Sequence, residues 1–209
     1  MASIVAALEK IYPDSACALE YGGEPWRLMV MARLSAQCTD ARVNEVCRTL
    51  FTRFPTIDAL ADAPLCDIEE IVRPCGLWKT KAANIKEECR IVRDEHGGVV
   101  PSDMEALLAL PGVGRKIANL LRGDIYGLPA IVADTHCIRI CGRFGMYPTD
   151  LKDATKVESV MVKLVEPEKQ SDFCHRIVQF GRDVCMARSP ACESCPLAEH
   201  CEYGKSKTR

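Results

Sequence analysis

Apolar residues recur every three or four positions along most of the chain, which is the spacing of helices with one buried face. The segment from 40 to 54 shows this clearly at Val43, Val46, Leu50 and Phe54. No segment shows a convincing strand pattern, so the sequence predicts an all-α fold. The predicted helices cover residues 3–12, 26–34, 40–54, 57–61, 65–72, 79–95, 115–126, 134–144, 154–165 and 171–184.

A further short helix precedes residue 115 and is joined to the next helix by a tight turn. Ser102 and Glu105 form a capping box at its start, and Pro111 ends it. Gly112 and Gly114 follow at once, and glycine allows the positive φ angles that such a turn needs. The pattern predicts a helix-hairpin-helix motif.

The second helix of this hairpin begins near Arg115, and the first N–H groups of a helix have no partner within it. Beside two glycines, these amides form an anion site for which phosphate is a natural ligand. Such a contact holds a nucleic-acid backbone without reading its sequence. An ordinary helical hairpin, with glycines that serve only the turn, explains the same residues.

Lys116 lies in the first turn of that helix, where the helix dipole disfavours a cation. This field, together with partial burial, favours the neutral amine, which is a nucleophile that forms Schiff bases. Phosphate binding by the lysine explains the same position. Asp134, in the stretch VADTHCIRI, follows an apolar segment and can cap the next helix. The same carboxylate, if it is close to Lys116, can also stabilise a sugar cation or move protons.

Four of the thirteen cysteines crowd the C-terminus with the spacing C-x6-C-x2-C-x5-C: Cys185, Cys192, Cys195 and Cys201. Zinc ribbons use two CxxC pairs and only one is present, so the spacing favours a [4Fe–4S] cluster over zinc, and both over disulfides. The nine scattered cysteines are expected to be small buried apolar residues.

Composition restricts the class of protein only loosely. The chain has 209 residues, 48% of them hydrophobic and 27% charged, which is typical of a globular protein. No apolar run approaches the length of a membrane span, and the N-terminus lacks an export pattern. The net charge of −2 and the pI of about 6.1 argue mildly against a nucleic-acid partner but do not exclude a local basic patch.

Together, LPGVGRKIANLL, ADTHCIRI and the cysteine tail resemble the endonuclease III family of the helix-hairpin-helix DNA glycosylase superfamily. LSAQCTDARVN (34–44) and GLWKTKAANI (76–85) match further segments of that family. The resemblance implies two helical domains that flank a DNA-binding cleft. One is a six-helix domain at 18–128 with the hairpin, and the other joins 1–17 to 129–209 and holds the cluster.

The resemblance also implies the chemistry. A damaged pyrimidine is flipped from the duplex, Lys116 attacks C1′ of its sugar and displaces the base, and Asp134 stabilises the cationic sugar. The Schiff base then acidifies the C2′ proton, and β-elimination cuts the strand. Gln37 and Leu77 fill the gap left by the flipped nucleotide, although a solvated glutamine and a core leucine are the simpler interpretations. The DNA-contact set is completed by the hairpin residues Gly112, Val113, Gly114 and Arg115.

Two alternatives stay open. A monofunctional adenine glycosylase shares the fold and the cluster, but it lacks the attacking lysine, has a glutamate near Gln37 and carries an extra C-terminal domain. A non-catalytic, redox-sensing DNA-binding module would use the hairpin and the cluster without Lys116. The expected partner is double-stranded DNA with damaged pyrimidines or abasic sites, bound by a monomer in the bacterial or archaeal cytoplasm, near the nucleoid, without membrane contact.

Overall fold

The computed structural model describes residues 1–207, and this part of the chain is built from helices without a strand. The α-helices are α1 (Ala2–Ile11), α2 (Pro25–Leu34), α3 (Asp40–Arg53), α4 (Ile57–Asp62), α5 (Leu65–Val72), α6 (Trp78–His96), α7 (Met104–Ala109), α8 (Arg115–Tyr126), α9 (Thr135–Arg143), α10 (Ala154–Leu164), α11 (Gln170–Asp183) and α12 (Glu202–Lys207). Single turns of 3-10 helix lie at Arg73–Cys75, Pro167–Lys169 and Ala198–His200. The prediction of an all-α fold is confirmed.

Several helices begin at a side chain that accepts a hydrogen bond from the first turn, as N-caps do. Thr39 caps α3 and Thr56 caps α4 in this way. The predicted capping box at Ser102 is wrong by one residue. Asp103 is the N-cap of α7, because its carboxylate accepts from the amide of Ala106 at 2.9 Å. Helix α12 was not predicted, since its sequence EYGKSK is almost entirely polar and shows no apolar period.

The chain divides into two compact units, Ala18–Tyr126 and Met1–Cys17 with Gly127–Arg209. In the first, α2 is a central helix with Leu28, Met29 and Val30 all fully buried. Helices α4 and α5 pack against α6, and Trp26 meets Phe51 edge to face with ring centroids 5.1 Å apart. This unit carries the hairpin α7–α8.

The second unit contains the N-terminal helix and the cysteine tail. Helix α1 packs on α11, and Leu8 is fully buried there. Phe144 stacks on Phe180 with centroids 6.0 Å apart, and both belong to the same apolar core as Cys185 and Cys201. The tail is therefore part of the core of this unit.

The scattered cysteines follow the expectation only in part. Six of the nine are buried, whereas Cys17 and Cys38 are half-buried and Cys66 is exposed. The prediction of a buried apolar role is therefore wrong for Cys66. In the described residues no helix is both long and apolar enough to cross a membrane.

Glu88 on α6 is a fully buried carboxyl group, and within the described part of the chain neither of its oxygens has a hydrogen-bond partner. Burial raises its pKa from 4.5 to about 8, and the charge of Arg33 opposes this rise. The folded protein therefore holds a proton on Glu88 at a pH where the unfolded chain releases it.

This difference makes stability depend on pH. The free energy of unfolding is expected to fall as the pH rises from 4.5 to about 8, at up to about 1.4 kcal/mol per pH unit from this group. Glu88→Gln keeps a neutral side chain of the same shape and is expected to flatten this slope and to exceed the wild type in stability at pH 8. Urea unfolding at several pH values measures it, with Glu95→Gln at an exposed position of α6 as control. An unchanged slope in the Glu88 variant contradicts the assignment.

Candidate active site

The turn between α7 and α8 contains one position where only glycine fits. Gly112 has φ +80°, and a Cβ there would lie 2.3 Å from the side-chain amide group of Asn84 and 2.4 Å from Nε of Arg33. Any other residue would be strained and would also displace these two side chains. The hairpin is therefore packed closely against α6 and α2.

Gly114 differs from its prediction. Its φ is not positive, and a Cβ built on it would meet no atom within 4 Å. The expectation of a positive φ is wrong here because the turn is completed at Gly112, before the chain enters α8. Gly114 is exposed, and its missing side chain leaves the backbone at the start of α8 accessible.

The other hairpin residues divide by burial. Val113 is 5% exposed, so its side chain anchors the turn and only its backbone can face a ligand. Arg115 is exposed in the first turn of α8, beside the N–H groups at the helix start. An anion at this turn would meet backbone amides and a guanidinium together.

Lys116 is exposed in the first turn of α8. The expectation of partial burial is wrong, because Lys116 belongs to an exposed stretch at the start of α8 together with Gly114 and Arg115. The position at the positive end of the helix dipole is as predicted, and it is unfavourable for a cation. An exposed lysine that destabilises the start of its helix is typical of a residue with a role in binding or catalysis.

Asp134 is half-buried and is the N-cap of α9. Its Oδ1 accepts from the amide of Cys137 at 2.7 Å. The capping interpretation is confirmed, and it leaves the chemical role to be tested separately. Capping also fixes the orientation of the carboxylate, which a catalytic group needs.

Substitution at Asp134 separates the two roles. Asn caps a helix as well as Asp, so Asp134→Asn is expected to leave the free energy of unfolding within about 0.5 kcal/mol and to lower base excision by about 100-fold or more. Asp134→Ala is expected to cost about 1 kcal/mol of stability as well. Urea unfolding and single-turnover excision measure the two effects.

Asp153 is the matched control, because its Oδ1 caps α10 through the amide of Lys156 at 3.0 Å in the same unit. Asp153→Ala is expected to lose similar stability without losing specific activity in the folded fraction. Full excision by Asp134→Asn would reduce Asp134 to a helix cap.

Gln37 and Leu77 share an unusual backbone. They are the non-glycine residues with positive φ in the described chain, at 56° and 48°. Both are exposed, Leu77 to 61%, which excludes the interpretation of Leu77 as a core residue. Such a conformation costs on the order of 1 kcal/mol for a residue with a side chain and is commonly found at functional sites.

The four tail cysteines line one cavity, together with apolar side chains such as Phe144 and Phe180. Burial raises the pKa of the Cys195 thiol, and the nearby thiols of Cys201, Cys185 and Cys192 raise it further. Among the described residues, no group of three or more His, Cys, Asp or Glu side chains converges as a site for a single metal ion. Four soft sulfur donors around a shared apolar space fit an iron–sulfur cluster.

Two arginines of α9, which the sequence analysis did not single out, donate hydrogen bonds to the backbone at the start of the cysteine tail. Arg143 donates to the carbonyls of Met186 at 2.8 Å and Ala187 at 2.9 Å, and its Nη1 lies 3.2 Å from Sγ of Cys185. Arg139 donates to the carbonyl of Cys185 at 3.1 Å. The spacing of four in THCIRICGR places them on one helix face, but this spacing is equally typical of a solvated face.

With this geometry established, comparison with known proteins identifies the class. Residues 30–167 match the family model of the HhH-GPD superfamily base excision DNA repair proteins, and residues 185–201 match that of the iron–sulfur binding domain of endonuclease III. The first match covers more than half of the chain, and the second spans the four tail cysteines.

Individual relatives show to which family within this superfamily the chain belongs. The chain is 41% identical to endonuclease III of Synechocystis sp. over 95% of its own length and 90% of the relative's. It is 36% identical to endonuclease III of Escherichia coli K12, over 96% and 93%. The chain belongs to the HhH-GPD superfamily and, within it, to the endonuclease III family.

Solved structures agree with this. A non-covalent endonuclease III–DNA complex is 39% identical, covers 100% of this chain and 96% of that one, and superposes with a TM-score of 0.92. A trapped endonuclease III–DNA covalent intermediate is 40% identical, covers 98% and 95%, and gives 0.91. A thermostable thymine-DNA glycosylase, at 22% identity and a TM-score of 0.88, shares the fold.

Proposed function

We propose that this chain removes oxidised pyrimidines from duplex DNA, with Lys116 as the nucleophile and Asp134 as the group that stabilises the sugar cation. As a member of the endonuclease III family, it is a DNA glycosylase with AP lyase activity in base excision repair. The observation that carries the residue assignment is Lys116 itself, an exposed lysine in the first turn of α8, directly after the hairpin turn.

Lys116 acts through its neutral amine. The amine attacks C1′ of the flipped nucleoside, the C1′–N bond breaks, and the base leaves with a proton. Ring opening gives a Schiff base between Nζ and C1′, which acidifies the C2′ proton. Loss of that proton expels the 3′ phosphate, and water then releases the enzyme.

Asp134 stabilises the positive charge on the sugar as the base departs. Its carboxylate is oriented by the hydrogen bond from the Cys137 amide, so no reorganisation is needed when the charge develops. The acidic overall charge makes a local phosphate contact necessary for DNA binding. We assign this contact to the backbone of Gly112, Val113 and Gly114 and to Arg115.

Gln37 and Leu77 occupy the space left by the flipped nucleotide, one from the loop after α2 and the other at the start of α6. We propose that a single monomer carries the complete site. We also propose that the protein acts in the cytoplasm of a bacterial or archaeal cell, as its similarity to bacterial endonuclease III proteins supports.

The tail binds an iron–sulfur cluster, which we propose to be of the [4Fe–4S] type, held by Cys185, Cys192, Cys195 and Cys201. Such a cluster would supply structural cohesion or redox tuning to this unit. Bond breaking at the sugar depends on side chains of the chain itself, so no step of the reaction passes through the cluster.

The experiment that tests this function compares cleavage products from defined duplexes. A 32P-labelled duplex with one thymine glycol is expected to give a β-elimination end, and an undamaged duplex none. A duplex with an adenine mispair, on which the adenine glycosylase alternative acts, is expected to stay intact.

Two results would contradict the function. Excision of adenine without strand cleavage would favour the monofunctional alternative. Tight DNA binding without any excision would favour a non-catalytic module.

A further inference from the structure

Gln37 and Leu77 lie on separate segments that depend on one buried side chain. Gln37 follows the C-terminal end of α2 by three residues, and Leu77 follows the 3-10 turn Arg73–Cys75 by two. The last carbonyls of α2 and of that turn need partners from outside their own helices.

Lys81 of α6 supplies both partners. Its side chain is 0% exposed, and Nζ donates to the carbonyl of Leu34 at 2.8 Å and to that of Cys75 at 2.7 Å. Leu34 is the last residue of α2 and Cys75 the last of the 3-10 turn. The dipole of α2 favours a cation at its C-terminal end.

A buried lysine is energetically unfavourable compared with an apolar side chain that would fill the same position. Burial lowers its pKa, since the interior disfavours the ammonium form, and the charge of Arg33 acts in the same direction. The nearby thiols of Cys75 and Cys38 only partly offset the effect of burial on this pKa. A compact group with three donors can join two carbonyls that belong to different segments.

We infer that Lys81 is a positioning residue for Gln37 and Leu77, holding their two segments at a fixed separation so that both side chains enter the DNA together. The inference rests on the proposed function of those two residues. The left-handed backbone at each of them persists only where its surroundings enforce it. Lys81 donates to the backbone a few residues before Gln37 and before Leu77. It therefore acts on them through the backbone and, being fully buried, does not contact DNA.

The test measures two rates on the same preparation of Lys81→Met. The first is single-turnover excision from a thymine glycol duplex, which needs the gap to be filled. The second is cleavage of an abasic site in a single-stranded oligonucleotide, which has no opposing strand to separate. Their ratio is independent of the fraction of protein that is folded.

For Lys81→Met this ratio is expected to fall about 10- to 100-fold below the wild type, because small errors in position have effects of this size. Lys86→Met is the matched control. Lys86 is on the same helix as Lys81, and its Nζ donates to the carbonyl of Ala63, which follows α4 and belongs to neither the segment of Gln37 nor that of Leu77. It is expected to keep the wild-type ratio. An unchanged ratio in Lys81→Met would overturn the inference.

Further variants separate this inference from the proposed function. Gln37→Ala and Leu77→Ala are expected to lower the same ratio, and if they do not, the proposed role of those residues fails first. If they lower it and Lys81→Met does not, only the positioning role fails. Should Lys81→Met yield no folded protein, Lys81→Gln is measured instead, since its shorter side chain cannot join both carbonyls; a wild-type ratio there would equally overturn the inference.

Discussion

Replacing Lys116 by alanine is expected to lower strand cleavage at abasic and thymine glycol sites by about 10³-fold or more, because the nucleophile of the reaction is lost. DNA affinity is expected to change by no more than about 10-fold, since one cationic side chain is removed while the hairpin amides remain. Single-turnover incision assays and fluorescence anisotropy measure the two quantities on the same duplex.

Two matched variants isolate the nucleophile from the charge. Lys116→Arg keeps a cation but no available neutral amine, and it is expected to be as inactive as the alanine variant. Arg115→Ala removes the neighbouring charge and is expected to weaken DNA binding while cleavage at saturating enzyme continues. Near wild-type cleavage by Lys116→Arg would contradict the role of the amine.

Replacing Cys195 by alanine is expected to have the largest effect on stability. It removes one of four thiols around the tail cavity, and metal binding contributes directly to folding. The variant is expected to lose bound iron and about 3 kcal/mol or more of stability, which lowers Tm by about 10 °C. Iron analysis, absorption spectra and thermal unfolding measure these changes.

Cys137→Ala is the control for this experiment. Cys137 is a buried cysteine of α9 in the same unit, outside the tail. Its replacement is expected to cost about 1 kcal/mol through the lost packing and to leave the iron content unchanged. Equal iron in Cys195→Ala and the wild type would show that Cys195 is not a ligand.

The helical architecture was predictable because apolar periodicity is local information. The segment that forms α3 shows its buried face at Val43 and Leu50, and both are fully buried. Prolines and glycines gave the ends of most helices within one or two residues. Choosing between the adjacent capping residues Ser102 and Asp103 needed the backbone geometry, because both side chains are good N-caps.

The candidate site was predictable where a residue type conflicts with its local setting. Lys116 is visible in the sequence because a cation at a helix start is unfavourable, and Asp134 because it opens a helix. The exposure of Lys116 was not predictable, because it depends on how the hairpin packs on the rest of its unit. The catalytic roles of both residues stay predictions.

Residues that act across the fold were not predictable. Lys81 is one of three lysines within eight residues of α6, and nothing local distinguishes it from exposed Lys79. Its role comes from carbonyls 47 and six residues away in sequence. Arg143 contacts Ala187, 44 residues further along, and was missed for the same reason.

The central claim is that Nζ of Lys116 bonds covalently to C1′ of the damaged nucleotide. Sodium borohydride reduces such a Schiff base to a stable amine, and peptide mass spectrometry locates the modified residue. We predict one adduct with a thymine glycol duplex, on the peptide that contains Lys116. An adduct on another lysine or on the N-terminal amine, or continued strand cleavage without any adduct, would contradict the claim.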